Sequence, residues 1–320
     1  MPHVLVAGKI EAAGLAMLRE AEGITYDYVE DVSEESYHPY IARADGMVIR
    51  TQPLSAASIA IADRLRIVSR HGVGYDSIDL EALRARGIAL AIAGDVNSLS
   101  VAEHTIGLFF ALSKKVIAAD AAVRVGDWAW RDRERPFELA EKKLLVLGMG
   151  RIGKRVAELA SRLGVLVSGY DPHVANSVWS HIGIERAVDL HSALASADLV
   201  SVCVPKGDRP IIGAPELHAM KPTAFLVNTA RGGVVDETAL LAALSNGEIA
   251  GAGLDVFEDE PPLPSNHLLQ SERVIVSPHV AGLTVESARR MSIASVRNVL
   301  DFFQGRVKRD LLVGRSVKSA

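Results

Sequence analysis

The sequence predicts an α/β protein whose parallel sheets are covered by helices on both faces. Short apolar runs with strand character alternate with stretches of helical spacing before Asn97, and the alternation resumes beyond Leu144. Between those regions an apolar run, Leu144 to Leu147, breaks into Gly148-Met149-Gly150-Arg151-Ile152-Gly153. A strand, a glycine turn and a helix in that order are a recurring unit of such sheets.

Taken in order, His3 to Ala7 is a short apolar strand, Ala12 to Glu20 has helical spacing, and Ile24 to Val29 alternates as a strand before Glu30-Asp31, which together make a βαβ unit. Further strands are expected at Gly46 to Arg50, Arg66 to Arg70 and Ile88 to Ala93, separated by helical patterns at Ser55 to Arg64 and Leu80 to Arg86. Asn97-Ser98 opens a long helix, with Ser98 or Ser100 as its N-cap. The stretch Val101 to Val125 is strongly apolar, but Glu103, His104, Lys114, Lys115 and Asp120 interrupt it, so it reads as one packed helix and not a membrane span. Gly126 to Lys143 is the most loop-like stretch and the expected domain crossing, with Trp128 and Trp130 as packing anchors. A helix should begin near Arg151 and carry Val156, Leu159, Ala160 and Leu163 on one face. Strands follow at Val165 to Tyr170, Leu199 to Val204 (with Cys203 buried in it), Ala224 to Asn228, Ile249 to Asp255 and Val274 to Ser277, and helices at Glu237 to Ser245 and Thr284 to Phe303. The basic segment Gly305 to Ala320 reads as a solvated end.

At 320 residues with 49% hydrophobic content, the chain has material for two cores. A net charge of −4 provides no broad field for nucleic acid, and no nucleic-acid or membrane partner is expected. The single cysteine excludes an internal disulfide framework and cannot form a metal cluster, which fits a reducing compartment. Met1 to Gly8 has no signal-peptide pattern, so the expected location is cytoplasmic.

The glycine turn carries chemistry of its own. Its first glycine permits a tight turn, the second lets a pyrophosphate approach the backbone, and the third lets the following helix pack against the strand. The free N–H groups of a helix starting at Arg151 would face those phosphates. Asp171, at the end of the next strand and about 20 residues beyond the first glycine, stands where a carboxylate accepts hydrogen bonds from ribose hydroxyls. A lone G-x-G-x-x-G is a weak signal, but the strand, helix, strand and acid around this one favour a dinucleotide site. Gly8-Lys9-Ile10-Glu11 has no such pattern, and no second nucleotide site is expected there.

Three further stretches follow strands, where open α/β sheets bind ligands. Asn228-Thr229-Ala230-Arg231-Gly232-Gly233 offers a guanidinium whose planar fork matches a carboxylate. Gly253 to Pro262 runs from a strand into an acidic loop, and Ser277-Pro278-His279-Val280-Ala281-Gly282 sets a histidine just past another. Singly these are an exposed arginine, a solvated acidic cluster and one of 10 histidines. Together an arginine to grip an acid, a histidine to move a proton and a carboxylate to hold that histidine are what hydride transfer to a 2-oxo acid requires.

The sequence resembles the D-isomer-specific 2-hydroxyacid dehydrogenases over nearly its whole length. The resemblance rests on Gly72-Val73-Gly74-Tyr75-Asp76-Ser77-Ile78-Asp79, Asn97 to His104, Gly148 to Gly153, Asn228 to Gly233, Leu254 to Pro262 and Ser277 to Gly282. It implies two doubly wound parallel-sheet domains: a discontinuous flavodoxin-like substrate domain, residues 1–98 plus 287–320, and a Rossmann cofactor domain, residues 99–286, whose closure would exclude water. It further implies that Arg231 binds the substrate carboxylate and carbonyl, His279 is the acid/base, and Glu260 orients His279 and raises its pKa. By the same carry-over the cofactor is held by Ser100, Gly148, Gly150, Arg151, Ile152, Gly153, Asp171, Val204, Pro205, Thr229, Ala230, Asp255 and Gly282, beside Arg231 and His279. The substrate would meet Arg50, His71, Gly72, and the backbone N–H groups of Val73 and Gly74.

The expected activity is NAD-dependent interconversion of a small D-2-hydroxy acid and its 2-oxo acid by a homodimer built partly from the helix after Asn97. NAD is expected over NADP because the Asp171 carboxylate repels a 2′-phosphate, with His173 near enough to soften the discrimination. Two alternatives stay open: a short D-3-phosphoglycerate dehydrogenase, which Arg50-Thr51 suits and Gln52 does not, and an NAD(H)-sensing corepressor on the same fold, which the short termini disfavour. The chain departs from the family at Lys206 to Ile211, which is shorter than usual, at Phe137, and at His71, where a small residue is frequent. With no regulatory domain following residue 320, feedback control like that of long phosphoglycerate dehydrogenases is not expected.

Overall fold

The computed structural model describes residues 1–177, 179 and 183–314, and the chain divides into two compact units. Met1–Asn97 and the chain from Leu283 form the first; Ser98–Gly282 form the second.

In the first unit five parallel strands, β1 (His3–Ala7), β2 (Thr25–Val29), β3 (Gly46–Ile49), β4 (Ile67–Arg70) and β5 (Ala89–Ile92), lie in the order β2-β1-β3-β4-β5. The central strands are buried on both sides, which is why they read as continuous apolar runs. Leu5, Met47, Ile49 and Val68 face Tyr37, Ile41, Ile59 and Leu83 on one side. Val4, Val6, Val48 and Ile67 face Leu15, Leu18, Val296 and Val299 on the other. Burial of each such Leu or Ile contributes about 1.5–3 kcal/mol. The helices Ala12–Glu20 and Val285–Phe303 cross closely because Gly14 meets Ser292, whose hydroxyl a Cβ would approach to 2.2 Å. Ser55, Asp79 and Thr284 cap their helices through Ser58, Ala82 and Ser287 N–H groups, each cap adding about 1 kcal/mol.

The second unit holds a seven-stranded parallel sheet, β6 (Lys143–Leu147), β7 (Leu166–Tyr170), β8 (Glu185–Arg186), β9 (Leu199–Val202), β10 (Phe225–Asn228), β11 (Gly251–Leu254) and β12 (Val274–Val276). Its order, β12-β11-β10-β9-β6-β7-β8, reverses direction at β6, and that switch point is where such sheets open a ligand crevice beyond their carboxyl ends. Leu144, Val146 and Val227 pack on Leu108, Phe109, Val156 and Ala160; Leu145, Leu147, Val200 and Leu226 pack on the opposite face with Leu217, Leu240 and Leu244.

Five sequence expectations are corrected. The helix expected through Val101 to Val125 is two helices, Ser98–Ser113 and Val116–Arg124, broken where Lys115 takes a left-handed conformation with φ 51°. Ser98 and Ser100 lie inside the first of these helices, so neither is its N-cap. Gly126 to Lys143 is not a crossing between units but folds back on the helix break within the second unit: Lys114 Nζ donates to the Phe137 carbonyl at 2.7 Å, Phe137 N–H to the Ser113 carbonyl at 3.0 Å, and Lys115 pairs with Glu134. The anchors there are Leu139 and Phe137, stacked on Phe225, whereas Trp128 is 64% exposed. Finally, the end of the chain is not all solvated. Leu312 bridges Ala91 and Val313 N–H donates to the Leu90 carbonyl at 2.8 Å, so an apolar Leu-Leu-Val run covers β5; residues 315–320 lie outside the described region.

Candidate active site

The glycine turn sits at the switch point, directly after β6. Gly148 has φ +91°, and a Cβ there would come within 2.7 Å of the Cys203 carbonyl oxygen; at Gly153 it would come within 1.9 Å of the Gly148 oxygen. Side chains at either position would push apart the turn, β9 and the helix Arg151–Arg162. Gly150 differs: a Cβ there meets nothing within 4 Å, and as N-cap it leaves the first N–H groups of that helix without a side-chain partner. Open space in front of helix N–H groups suits a pyrophosphate. Asp171 follows β7 and is oriented by two backbone donors, Met149 N–H to Oδ2 and His173 N–H to Oδ1, both 2.9 Å. Val204 and Pro205 follow β9, the first half-buried and the second exposed.

At the end of β10, the Asn228 side chain shapes the arginine turn. Its Oδ1 accepts from Ala230 N–H and its Nδ2 donates to the Arg231 carbonyl, each at 3.0 Å. Thr229 shares a 2.8 Å hydroxyl hydrogen bond with Thr105 of the helix Ser98–Ser113. Arg231 donates through Nη1 to the Ala230 carbonyl at 2.7 Å. Gly232 is where this turn touches the acidic loop: a Cβ would stand 1.6 Å from the Phe257 carbonyl oxygen, so only glycine fits.

That loop and the segment after β12 bring together the residues the sequence singled out. Glu260 accepts the Phe257 N–H on Oε1 at 3.1 Å, and its Oε2 lies 2.7 Å from His279 Nδ1. His279 sits at φ 53°, a conformation uncommon outside glycine, held by its N–H to the Asp255 carbonyl at 2.8 Å. The buried Asp255 carboxylate clamps the same segment by accepting from Ser277 Oγ at 2.6 Å and from Val280 and Ala281 N–H at 2.9 Å. Ser100 Oγ donates to the Ala281 carbonyl at 2.6 Å, fastening the helix Ser98–Ser113 to it just before Gly282. The Glu260 hydrogen bond raises the His279 pKa above its ordinary 6.5; burial opposes it, the Glu260 and Asp255 charges reinforce it, and Arg231 subtracts. For Glu260 burial acts upward, but the hydrogen bond and charge of His279, the Phe257 N–H and Arg231 outweigh it and the carboxyl lies below its ordinary value. Arg231, Glu260 and His279 thus form one electrostatic group, with Nδ1 of the histidine committed to the carboxylate.

In the first unit, Arg50 follows β3 and donates through Nη1 to the Lys9 carbonyl at 3.0 Å. His71 and Gly72 are buried after β4, Gly72 at φ +143°, and Val73 and Gly74 are half-buried beside them. Gln52 is consumed by the fold: Nε2 donates to the Asp31 carbonyl at 2.7 Å and Oε1 accepts from Thr51 N–H at 3.2 Å. Sequence reasoning left out of the site Ser277 and His104, whose Nε2 lies 2.9 Å from Ser277 Oγ, and Asn228, which braces the arginine turn. A polar side chain within or bordering an apolar strand, as at Asn228 and Ser277, was the available signal.

A glycine turn at the switch point of a seven-stranded parallel sheet places the second unit among the Rossmann dinucleotide-binding domains. Residues 106–281 match the model of the D-isomer specific 2-hydroxyacid dehydrogenase NAD binding domain, and the chain belongs to that family. It is 36% identical over 326 residues to a glyoxylate reductase of Korarchaeum cryptofilum, covering 99% of this chain and 97% of the relative. It is 36% identical over 305 residues to a D-3-phosphoglycerate dehydrogenase of Archaeoglobus fulgidus, covering 94% of this chain but only 57% of that longer protein. The chain spans about half to three-fifths of the length of the phosphoglycerate dehydrogenases it matches. The solved structure of an NADPH-dependent glyoxylate/hydroxypyruvate reductase from Sinorhizobium meliloti is 30% identical and superimposes with a TM-score of 0.87 over 98% of both chains. Among the described residues no helix is long and apolar enough to cross a membrane, and no group of metal-ligating side chains is assembled.

Proposed function

We propose that the protein is an NAD-dependent dehydrogenase that interconverts a small D-2-hydroxy acid and its 2-oxo acid. The observation that carries this reading is the 2.7 Å contact of His279 with Glu260, with the Arg231 charge acting on both. When bound, the nicotinamide cofactor supplies or takes up the hydride at carbon 2. The residues that would hold it are Gly148 to Gly153 and the N–H groups of Arg151 and Ile152 at the pyrophosphate, Asp171 at the ribose, and Ser100, Val204, Pro205, Thr229, Ala230, Asp255 and Gly282 along the remaining carboxyl edge. Arg231 grips the substrate carboxylate with its fork. With Nδ1 bound to Glu260, His279 keeps Nε2 for the substrate oxygen, donating a proton during reduction and accepting one during oxidation.

The decisive assay follows NADH oxidation with glyoxylate, hydroxypyruvate, pyruvate, phenylpyruvate, sulfopyruvate and 3-phosphohydroxypyruvate. Turnover of at least one is expected, and NADH should give a higher kcat/KM than NADPH because the Asp171 carboxylate opposes a 2′-phosphate. Inactivity with every acid would refute the function; equal efficiency with NADPH would refute the cofactor preference alone. The engagement of Gln52 within its own unit leaves it unfit as a phosphate ligand and weighs against the phosphoglycerate reaction.

The His279 shift fixes the sign of the pH dependence. Reduction needs the protonated ring, so its rate is full below the raised pKa and falls as pH climbs through it, on the alkaline side of 6.5. Replacing Glu260 by Gln removes the main raising influence, so the falling limb should move to lower pH while oxidation gains at neutral pH. An unmoved limb would show that Glu260 does not set the histidine's proton affinity.

A cytoplasmic homodimer completes the proposal. The lone Cys203 supports a reducing compartment, and exposed Val116, Ile117, Val123, Val125 and Trp128 along and just beyond the helix Val116–Arg124 support self-association. Sedimentation velocity should give twice the 34.2 kDa chain mass, and a 34.2 kDa species at micromolar concentration would exclude the dimer.

A further inference from the structure

The helix Ser98–Ser113 grips the segment that carries His279 at two points, one on each side of the histidine. Ser100 Oγ donates to the Ala281 carbonyl at 2.6 Å, and His104 Nε2 lies 2.9 Å from Ser277 Oγ. Ser100 and His104 are four residues apart on the helix and share one face of it. Next to them Thr105 ties the same helix to the arginine turn through its 2.8 Å bond with Thr229. All of these groups belong to the second unit.

The direction of the bonds at Ser277 follows from its single hydrogen. That hydrogen goes to Asp255 Oδ1 at 2.6 Å, so Oγ accepts from His104, which must carry an N–H on Nε2. Donation thus runs from His104 through Ser277 to the buried Asp255 carboxylate, which also accepts from Val280 and Ala281 N–H, while the Asp255 carbonyl accepts from His279 N–H. His279 sits at φ 53°, and a side chain keeps such a backbone only where its surroundings over-determine it. Its Nδ1 is spent on Glu260, so the backbone has to be held through Ser277, Asp255 and Ala281.

Building on the proposed function, we propose that His104 is a positioning residue: by donating through Ser277 to Asp255 it holds the backbone of His279 where the imidazole meets Glu260. It acts through other groups and on no reacting atom. Without its N–H, Ser277 Oγ is free to turn from Asp255, and the carboxylate that clamps Val280 and Ala281 loses the partner that fixes it. The charges acting on His279 are those of Glu260, Asp255 and Arg231, and His104 itself faces Asp255, with Nε2 3.7 Å from Oδ1. Glu260 and Asp255 raise the proton affinity of His279, so a slackened segment should titrate at lower pH.

The test compares wild type, His104→Phe, His104→Gln, Ser277→Ala and the Phe/Ala double variant. Phe keeps a ring without an N–H, whereas the Gln amide can return a donor to the Nε2 position. His104→Phe should lower kcat about 10-fold with little change in the KM for the acid, and the falling limb of reduction should move to lower pH; His104→Gln should recover most of both. The double variant should lose no more than about twofold beyond the worse single variant, because both changes cut one chain. If the Phe protein does not fold, His104→Leu is read in the same way. A kcat within about twofold of wild type in the apolar variant, failure of Gln to restore the limb, or losses that multiply in the double variant would each overturn the assignment while leaving the dehydrogenase reading intact. Should the wild type turn over none of the acids, the dehydrogenase reading falls by itself, and NMR titration of the His279 ring decides the positioning role: a shift to lower pH in His104→Phe that Gln reverses supports it, and an unmoved titration overturns it.

Discussion

Replacing His279 by Ala is expected to lower kcat by roughly 10²- to 10⁴-fold, the range typical of losing a positioned general acid. The KM for NADH should change little, because the imidazole is bound to Glu260 and its loss leaves the glycine turn and Asp171 untouched. A fall in kcat without a matching rise in KM marks an interaction made in the transition state and not in substrate binding. The backbone of His279 anchors to Asp255 through its N–H, and the Asp255 carboxylate holds Val280 and Ala281, so the segment should keep its path in the variant. Steady-state kinetics with the best acid from the substrate panel decides the matter; undiminished turnover would remove His279 from the reaction.

Gly232→Ala is expected to depress kcat/KM by about 10²-fold without altering any group that touches substrate, since a displacement of about 1 Å in a reacting constellation can cost that much. Gly232 separates the turn that carries Arg231 from the loop that carries Glu260, and a Cβ there would overlap the Phe257 carbonyl at 1.6 Å. Both walls of that contact are backbone, so the overlap is relieved only by parting the two segments. Arg231 and the Glu260–His279 pair would then no longer meet the same substrate. The expected signature is a loss in kcat and a rise in KM together, with a lowered thermal midpoint. Kinetics within about threefold of wild type would mean that the juxtaposition of these segments is not needed for turnover.

Local chemistry was legible wherever a residue's role depends on its neighbours in sequence. The glycines at 148, 150 and 153, the arginine in its glycine turn, and the acid closing β7 announced themselves because turn, helix start and strand end are short-range structures. The helix Ala12–Glu20 and the strand His3–Ala7 were readable for the same reason, as apolar spacing in a strand or helix reports its buried face directly. The break at Lys115 was not legible, because hydrophobic spacing continues on both sides of it; it is produced by Glu134 and the Phe137 and Ser113 backbone, contacts 19 to 24 residues apart in the chain. The covering of β5 by Leu312 and Val313 was hidden likewise by more than 200 residues of separation.

The sequence by itself determined the kinds of group present: a phosphate-type glycine turn, a fork-shaped cation, a histidine and a choice of four carboxylates between Asp255 and Glu260. It could name Glu260 only through resemblance, since nothing in the spacing distinguishes it from Glu258 or Asp259. The tertiary structure decided that choice, by putting Oε2 of Glu260 at 2.7 Å from Nδ1 of His279. It also gave Asp255 a different task, holding the backbone that carries the histidine. The physical reason is that a hydrogen bond and a shifted pKa depend on a few ångströms between groups brought in by separate strands, and that distance is set by packing and not by the order of residues along the chain.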